Sequence, residues 1–266
     1  MEILDGEQEA VLGEVRFSRF DGGVGVLTLD RPKKLNALTA SMTEALASYI
    51  SRINADKGLR AIVLTGAGRS FCVGSDIDEL DHYDSPWEFS KRLDYGDLLR
   101  KIRVPIIAAI NGYAFGGGLE MALACDIRLC ASTASFAASE IKLGWIGGSG
   151  QSALLAKSIG LSNAALMLLT GEPVDATKAL SWGLVSSVLE PDLLFSNALE
   201  LAGKIAAQAP IAAQVAKLDL QAALAMPLDQ AIAWERHLQT VCFATEDANE
   251  GRAAFRSHRT PIFEGR

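Results

Sequence analysis

The sequence predicts an α/β core followed by a helical tail, and three observations predict it. Near the start, a strand pattern at residues 24–29, a helix pattern from Thr39 to about residue 54 and an apolar strand pattern at 59–65 follow one another. Strand, helix, strand is the beginning of an α/β layer. At the centre, Pro105-Ile106-Ile107-Ala108-Ala109-Ile110 reads as a fully buried strand that runs into a glycine turn and then a helix. From residue 192 onward the pattern is helical only, so the 266 residues divide near 195 into a core, 1–195, and a helical region, 196–266.

The elements follow in order. Residues 11–20 alternate as one strand, with Val11, Gly13, Val15 and Phe17 on one register and Glu14, Arg16 and Ser18 on the other. Asp21-Gly22-Gly23 is a hairpin signal before the strand at 24–29. After the polar loop Asp30-Arg31-Pro32-Lys33-Lys34, Thr39 or Ser41 caps a helix whose inward face is Met42, Ala45, Leu46, Tyr49 and Ile50. Gly66-Ala67-Gly68 invites a dinucleotide reading, but Phe71 stands where a third small residue belongs and no helix opens there. Gly74 permits an unusual backbone angle, and Ser75-Asp76 reads as the entry to a short helix.

His82 begins a loop, and residues 87–102 read as amphipathic, with Phe89, Leu93, Leu98, Leu99 and Ile102 inward. Strands at 127–130 and 135–137 lead to a glycine-dense loop at 143–150. Helices at 151–159, 163–169 and 176–182 and a last strand at 184–189 complete the core. Short βα and ββα units in succession suggest a coiled stack of similar turns, although no exact sequence repeat supports it. The tail reads as helices at 193–208, 211–225, 228–244 and 247–258, with Pro210 and Pro227 at helix starts. A tail this apolar packs on the core or on another copy of the chain.

Composition excludes several function classes. A net charge of −7 without a basic cluster argues against a nucleic-acid surface. The four cysteines, Cys72, Cys125, Cys130 and Cys242, have no zinc spacing and read as small buried thiols, and no metal motif is found. With no N-terminal apolar segment and no run long enough to span a bilayer, the expectation is a cytoplasmic protein without a membrane partner.

The chemistry gathers at residues 111–126, NGYAFGGGLEMALACD. Amides at a helix start have no partner inside the helix and carry the positive end of its dipole. Glu120 is the only charge in that helix before Asp126, and burying an acid is costly without a partner or a task. A nucleophile search is poor: Gly148-Ser149-Gly150 lacks the elbow spacing, and His82, His237 and His258 stand away from any glycine turn. What remains is Glu120 and Glu140 beside two amide-donor turns, at Gly74-Ser75 and Gly117. That is the parts list for enolate chemistry, in which two N–H groups hold a developing oxyanion and two carboxylates move protons. The alternative, a helix-bound Glu120 and a loop acid Glu140, is left open by the residues alone.

These residues resemble the enoyl-CoA hydratase/isomerase (crotonase) superfamily over about residues 12–263. Arg31-Pro32 with Leu35-Asn36-Ala37-Leu38 looks like its first loop. Phe71-Cys72-Val73-Gly74-Ser75-Asp76 and Asn111-Gly112-Tyr113-Ala114-Phe115-Gly116-Gly117-Gly118 look like its two oxyanion segments. Thr170-Gly171 with Gly183-Leu184-Val185, and Glu246-Asp247-Ala248-Asn249-Glu250-Gly251 with Ala254-Phe255 and Arg259, match its later signatures. The resemblance implies a spiral of ββα turns with a C-terminal helical trimerisation region, assembled as a homotrimer or dimer of trimers. It implies an acyl-CoA thioester substrate, no cofactor and no metal, with the carbonyl oxygen between the amides of Ser75 and Gly117.

By motif position Glu120 serves as base toward water and Glu140 delivers a proton to Cα. CoA and substrate contacts are implied at Lys33, Leu35, Val73, Gly74, Asp76, Ile77, Gly116 and Arg259, with Lys34 and Arg256 as further phosphate candidates. Trp145, Trp87 and Phe115 are candidates for an acyl pocket. Having both glutamates favours syn hydration of a 2-enoyl-CoA. The alternatives are enoyl-CoA isomerisation, carnitinyl-CoA dehydration, a hydroxycinnamoyl-CoA hydratase-lyase reaction or a non-catalytic oligomeric binding protein. Ser139 and Gly147 stand where the family often has proline, and Asp78 where a basic residue is frequent.

Overall fold

Residues 10–80 and 83–266 are described in the computed structural model, so His82 lies outside them. The single strand expected over residues 11–20 is two, β1 (Ala10–Leu12) and β2 (Val15–Phe20). Gly13 takes φ +58° and turns the chain back on itself, which splits the alternation. β2 continues antiparallel into β3 (Val24–Leu29). α1 (Ala40–Ala55) starts at Thr39, whose hydroxyl accepts from the Met42 amide at 3.1 Å, and it buries all five residues of the expected face.

From there the chain repeats one pattern, a strand in a first sheet, a short strand in a second, then helix. The first repeat is β4 (Ala61–Gly66), β5 (Ser70–Cys72) and the short helices α2 (Ile77–Leu80), α3 (Pro86–Ser90) and α4 (Tyr95–Arg100). The second is β6 (Ile106–Ile110), β7 (Tyr113–Phe115) and α5 (Gly117–Ala124). The third is β8 (Ile127–Ala131), β9 (Ser135–Ala137) and, after a 3₁₀ turn at Ser139–Leu143, α6 (Gln151–Thr170). Then come β10 (Val174–Asp175), α7 (Ala176–Trp182) and β11 (Ser187–Leu189). Among the described residues the first sheet has the order β1-β2-β3-β4-β6-β8-β11, parallel from β3 onward, and the second has β10-β9-β7-β5. The expected coiled stack of ββα turns is therefore the architecture, an α/β fold with two sheets.

Alternation inside the central strands explains their apolar runs. Ile62, Leu64, Ile106, Ala108 and Ile110 face the large core shared with α1 and α4–α7. Ala61, Val63, Ile107 and Ala109 face the other way, onto α8 (Pro191–Ala206) through Leu194, Ala198, Leu199, Ala202 and Ala206. Each buried Val, Leu or Ile contributes roughly 1.5–3 kcal/mol. Residue 195 lies within α8, and α8 packs on the first sheet. The helices that leave the sheet are α9 (Pro210–Ala223), α10 (Leu228–Phe243) and α11 (Glu246–Arg256).

Two expectations along the chain need correction. The amphipathic helix over residues 87–102 is broken, because Asp94 accepts from the Asp97 amide at 2.7 Å and caps a new helix, α4. Phe89 and Leu93 are consequently 38% and 53% exposed instead of inward, while Leu99 and Ile102 are buried. The second is the expectation that no run is long enough to span a bilayer. α6 is long and apolar enough to cross a membrane by composition, but Gly160, at φ +77°, interrupts it at the place where the sequence pattern separates two helices.

Candidate active site

The first-loop motif acts by fixing backbone. Asn36 is fully buried: its side-chain amide donates to the carbonyls of Ala67, Ser70 and Phe71 at 3.0, 2.8 and 3.2 Å. Arg31 Nη1 meets Asp76 Oδ2 at 2.6 Å, which holds the Asp76 carboxyl below the usual range. The loop so clamped forms a parallel bridge, in which Leu38 N donates to Gly74 O and Asp76 N to Leu38 O, both at 2.8 Å. Because the groups on either side of it turn toward Leu38, the Ser75 amide turns the opposite way, into the cavity that Ser75 lines.

The second donor comes from the start of α5. Gly116, at φ +52° and ψ −122°, precedes the helix without a side-chain cap, so the Gly117 amide is left open at the positive end of the dipole. Neither the Ser75 nor the Gly117 amide is engaged in a hydrogen bond with another described residue. Both border one cavity of about 640 Å³, together with Glu120 and Glu140. The structure thus brings the four expected residues to one place.

Each glutamate is buried and held. Glu120, 1% exposed, projects from the first turn of α5. Its Oε1 accepts from the Ser149 amide at 2.7 Å and its Oε2 from the Tyr95 hydroxyl at 2.8 Å. Glu140, 9% exposed, sits in the 3₁₀ turn, and Gln151 Nε2 lies 3.0 Å from both of its oxygens. Burial raises both carboxyls above their ordinary value; the donors around each oppose that rise, and Glu140 adds to it at Glu120. Cys72, whose sulfur accepts from the Gly74 amide at 3.4 Å, is pushed up to about 12 by burial and is inert as a nucleophile.

The remaining expected contacts divide. Val73, Gly74, Ile77 and Gly116 line the cavity, and of the three aromatic candidates Trp145 does. Trp87 is instead 69% exposed beneath Lys91, and Phe115 packs on Tyr113. Asp76 is occupied by Arg31 and borders a neighbouring pocket. Lys33 and Leu35 sit on the 3₁₀ turn at Pro32–Lys34 and its cap, and they do not border the cavity. Lys34 lies 3.8 Å from Asp78. Arg259 is engaged by Glu250 at 2.5 and 2.7 Å, away from the cavity.

Sequence reading missed Tyr95, Ser149 and Gln151. Tyr95 was concealed in the helix that Asp94 breaks. Ser149 stands in the glycine-dense loop already singled out and Gln151 opens α6 directly after it, where polar side chains beside a glycine turn were the available signal.

Comparison with known proteins identifies the family. The family model described as enoyl-CoA hydratase/isomerase matches residues 19–266. The chain is 40% identical over 245 residues to the (E)-benzylidenesuccinyl-CoA hydratase of Thauera aromatica, covering 91% of this chain and 96% of that one. It is 38% identical over 247 residues to a probable mitochondrial enoyl-CoA hydratase of Dictyostelium discoideum, covering 92% and 89%. A crystal structure of an enoyl-CoA hydratase from Bacillus anthracis matches it with TM-score 0.91 at 32% identity, covering 96% of this chain and all of that one. On the matched residues and the shared fold, the chain belongs to the enoyl-CoA hydratase/isomerase family.

Proposed function

We propose that this protein is an enoyl-CoA hydratase that adds water syn across the double bond of a 2-enoyl-CoA thioester. One observation carries the reading: two buried, hydrogen-bonded carboxylates and two open amides border a single cavity. The thioester oxygen sits between the Ser75 and Gly117 amides, where preorganised donors stabilise the enolate that forms when the β-carbon is attacked. Glu120 takes a proton from water as its oxygen bonds to Cβ. Glu140 gives a proton to Cα as the enolate collapses. Proton return from Glu120 to Glu140 through solvent completes the cycle, so the net change is addition of one water.

Burial favours the protonated form that Glu140 needs as an acid. Burial raises Glu120 as well, and the two hydrogen bonds that it accepts oppose that rise, toward the ionised form that it needs as a base. An isomerase needs only one such group, so the pair supports hydration. Val73, Gly74, Ile77 and Gly116 are the proposed substrate contacts in the cavity wall, and CoA belongs to the substrate rather than to the protein as a cofactor. Lys33 and Lys34 are the proposed phosphate contacts, because the clamped loop that carries them also carries Leu38 to Gly74.

Helices α9–α11 are the proposed trimerisation region. Leu220, Leu224, Leu228, Val241 and Phe243 lie exposed on α9 and α10 and the turn between them, apolar surface that a second copy of the chain would cover. Four unpaired cysteines accord with a reducing compartment such as the cytoplasm.

The test follows loss of the enoyl-thioester absorbance with crotonyl-CoA and with a cinnamoyl-CoA. Glu120→Gln and Glu140→Gln are each expected to lower kcat by about 10²–10⁴-fold. Full activity in either variant removes that glutamate from the mechanism. Conversion of a 3-enoyl-CoA without hydration would favour isomerisation instead.

A further inference from the structure

The start of α4 grips Glu120 from two sides. Tyr95, the first residue of that helix, donates its hydroxyl directly to Glu120 Oε2 at 2.8 Å. Asp94, its cap, accepts from Ser149 Oγ at 2.5 Å, and the amide of the same serine donates to Glu120 Oε1 at 2.7 Å. Asp94 in turn is held by the Asp97 amide. A ring of contacts, Tyr95–Glu120–Ser149–Asp94, therefore closes on the adjacent residue of the same helix, and Tyr95, Glu120 and Ser149 are all buried.

Tyr95 also touches the oxyanion side. A Cβ built on Gly117 would stand 2.2 Å from Tyr95 Oη, so the phenol oxygen packs directly on the Gly117 backbone. One hydroxyl thus contacts both the carboxylate and the residue that supplies an oxyanion amide.

We propose that Tyr95 is a positioning residue, its hydroxyl fixing the orientation of the Glu120 carboxylate and its oxygen bracing the Gly117 amide against the cavity. The inference rests on the reading of Glu120 as the base toward water. Each oxygen of Glu120 accepts one of these hydrogen bonds, and its remaining lone pairs are left for water in the cavity that Glu120 lines. The same donation favours the ionised form. Glu120 is faced by Tyr95 and Asp94 from α4, Ser149 from the glycine loop and Glu140 from the 3₁₀ turn, with Asp97 and Arg92 farther along the cavity wall. The two acids and burial favour the proton; Tyr95 and Ser149 oppose them.

The experiment is infrared titration of the carboxyl band in the unliganded protein, with the band assigned by its loss in Glu120→Gln. Tyr95→Phe keeps the ring and removes the donor, so the Glu120 midpoint is expected to rise by about one pH unit. kcat at neutral pH is expected to fall about tenfold with KM little changed, and part of the loss returns as pH is raised. Should that variant fold poorly, 3-fluorotyrosine at position 95, a stronger donor, is expected to move the midpoint the other way. An unmoved midpoint in both proteins overturns the inference. A midpoint that moves as expected in a protein that hydrates no enoyl thioester supports the role of Tyr95 and overturns the hydratase reading instead.

Discussion

Gly74 and Gly117 meet backbone to backbone: a Cβ on Gly74 would stand 3.1 Å from the Gly117 nitrogen, and one on Gly117 would stand 3.3 Å from the Gly74 Cα. This contact joins two ββα turns at the point where each delivers an amide to the cavity. It also gives each glycine a reason, since Gly74 holds φ +102°.

Gly117→Ala should therefore separate the two donors. The new methyl has no room beside Tyr95 Oη and Gly74, so α5 must move. We expect kcat to fall about 10²–10³-fold, the magnitude for loss of one oxyanion donor. Steady-state kinetics on crotonyl-CoA check this, and a kcat within twofold of wild type would contradict it.

The buried glutamates give stability a defined pH dependence. Burial raises Glu120 and Glu140 above the ordinary value of 4.5, so each binds its proton more tightly folded than unfolded. Their contribution is fully present below 4.5 and is lost as pH rises through the raised values, because the native state then holds more protons than the unfolded state. In Glu120→Gln and Glu140→Gln the titration is gone. Thermal unfolding across about pH 4 to 8 should show Tm of each variant gaining on wild type as pH rises. A pH-independent difference would contradict the assignment.

Asp76→Asn should uncouple the first loop from the site. The Arg31–Asp76 pair is mostly buried, and although Arg31 keeps Glu14 at 3.1 Å, loss of the Asp76 carboxylate is expected to cost about 1–3 kcal/mol. Because Asp76 adjoins Ser75, kcat should fall with stability. Denaturant unfolding and kinetics on the same preparation check both.

Lys217 tests how the outer helices hold the core. It is buried in α9, 2.9 Å from Asp126 Oδ2 and 3.1 Å from the Val104 carbonyl. Asp126 also receives the Ile106 amide at 2.7 Å, so one carboxylate ties α9 to the start of β6. Lys217→Met is expected to destabilise by roughly 2–4 kcal/mol while leaving KM nearly unchanged, measured by urea unfolding and steady-state kinetics.

The fold was legible where a local pattern decided it. The Thr39 cap, the apolar runs at β4 and β6 and the all-buried α5 each follow from residues within a few positions. Strands of the second sheet were less legible. β5 and β7 are three residues each, too short for alternation to register, and β7 follows β6 after a two-residue turn. At the site, Glu120 and Glu140 stood out because acids in apolar runs require an account. Tyr95 did not, since a tyrosine in an amphipathic stretch is ordinary until Asp94 breaks the helix. Arg259 and Asp76 carried the charges expected of substrate contacts, but each is taken by a partner that only the fold brings near, Glu250 and Arg31.

The central claim is that Ser75, Gly117, Glu120 and Glu140 together add one water to one face of an enoyl thioester. The most direct test is turnover of crotonyl-CoA in ¹⁸O-labelled D₂O, with the product examined by mass and by NMR. The account predicts one ¹⁸O at Cβ and one deuterium at Cα, added to the same face. Deuterium entering the acyl chain without ¹⁸O, or the two labels on opposite faces, would contradict it.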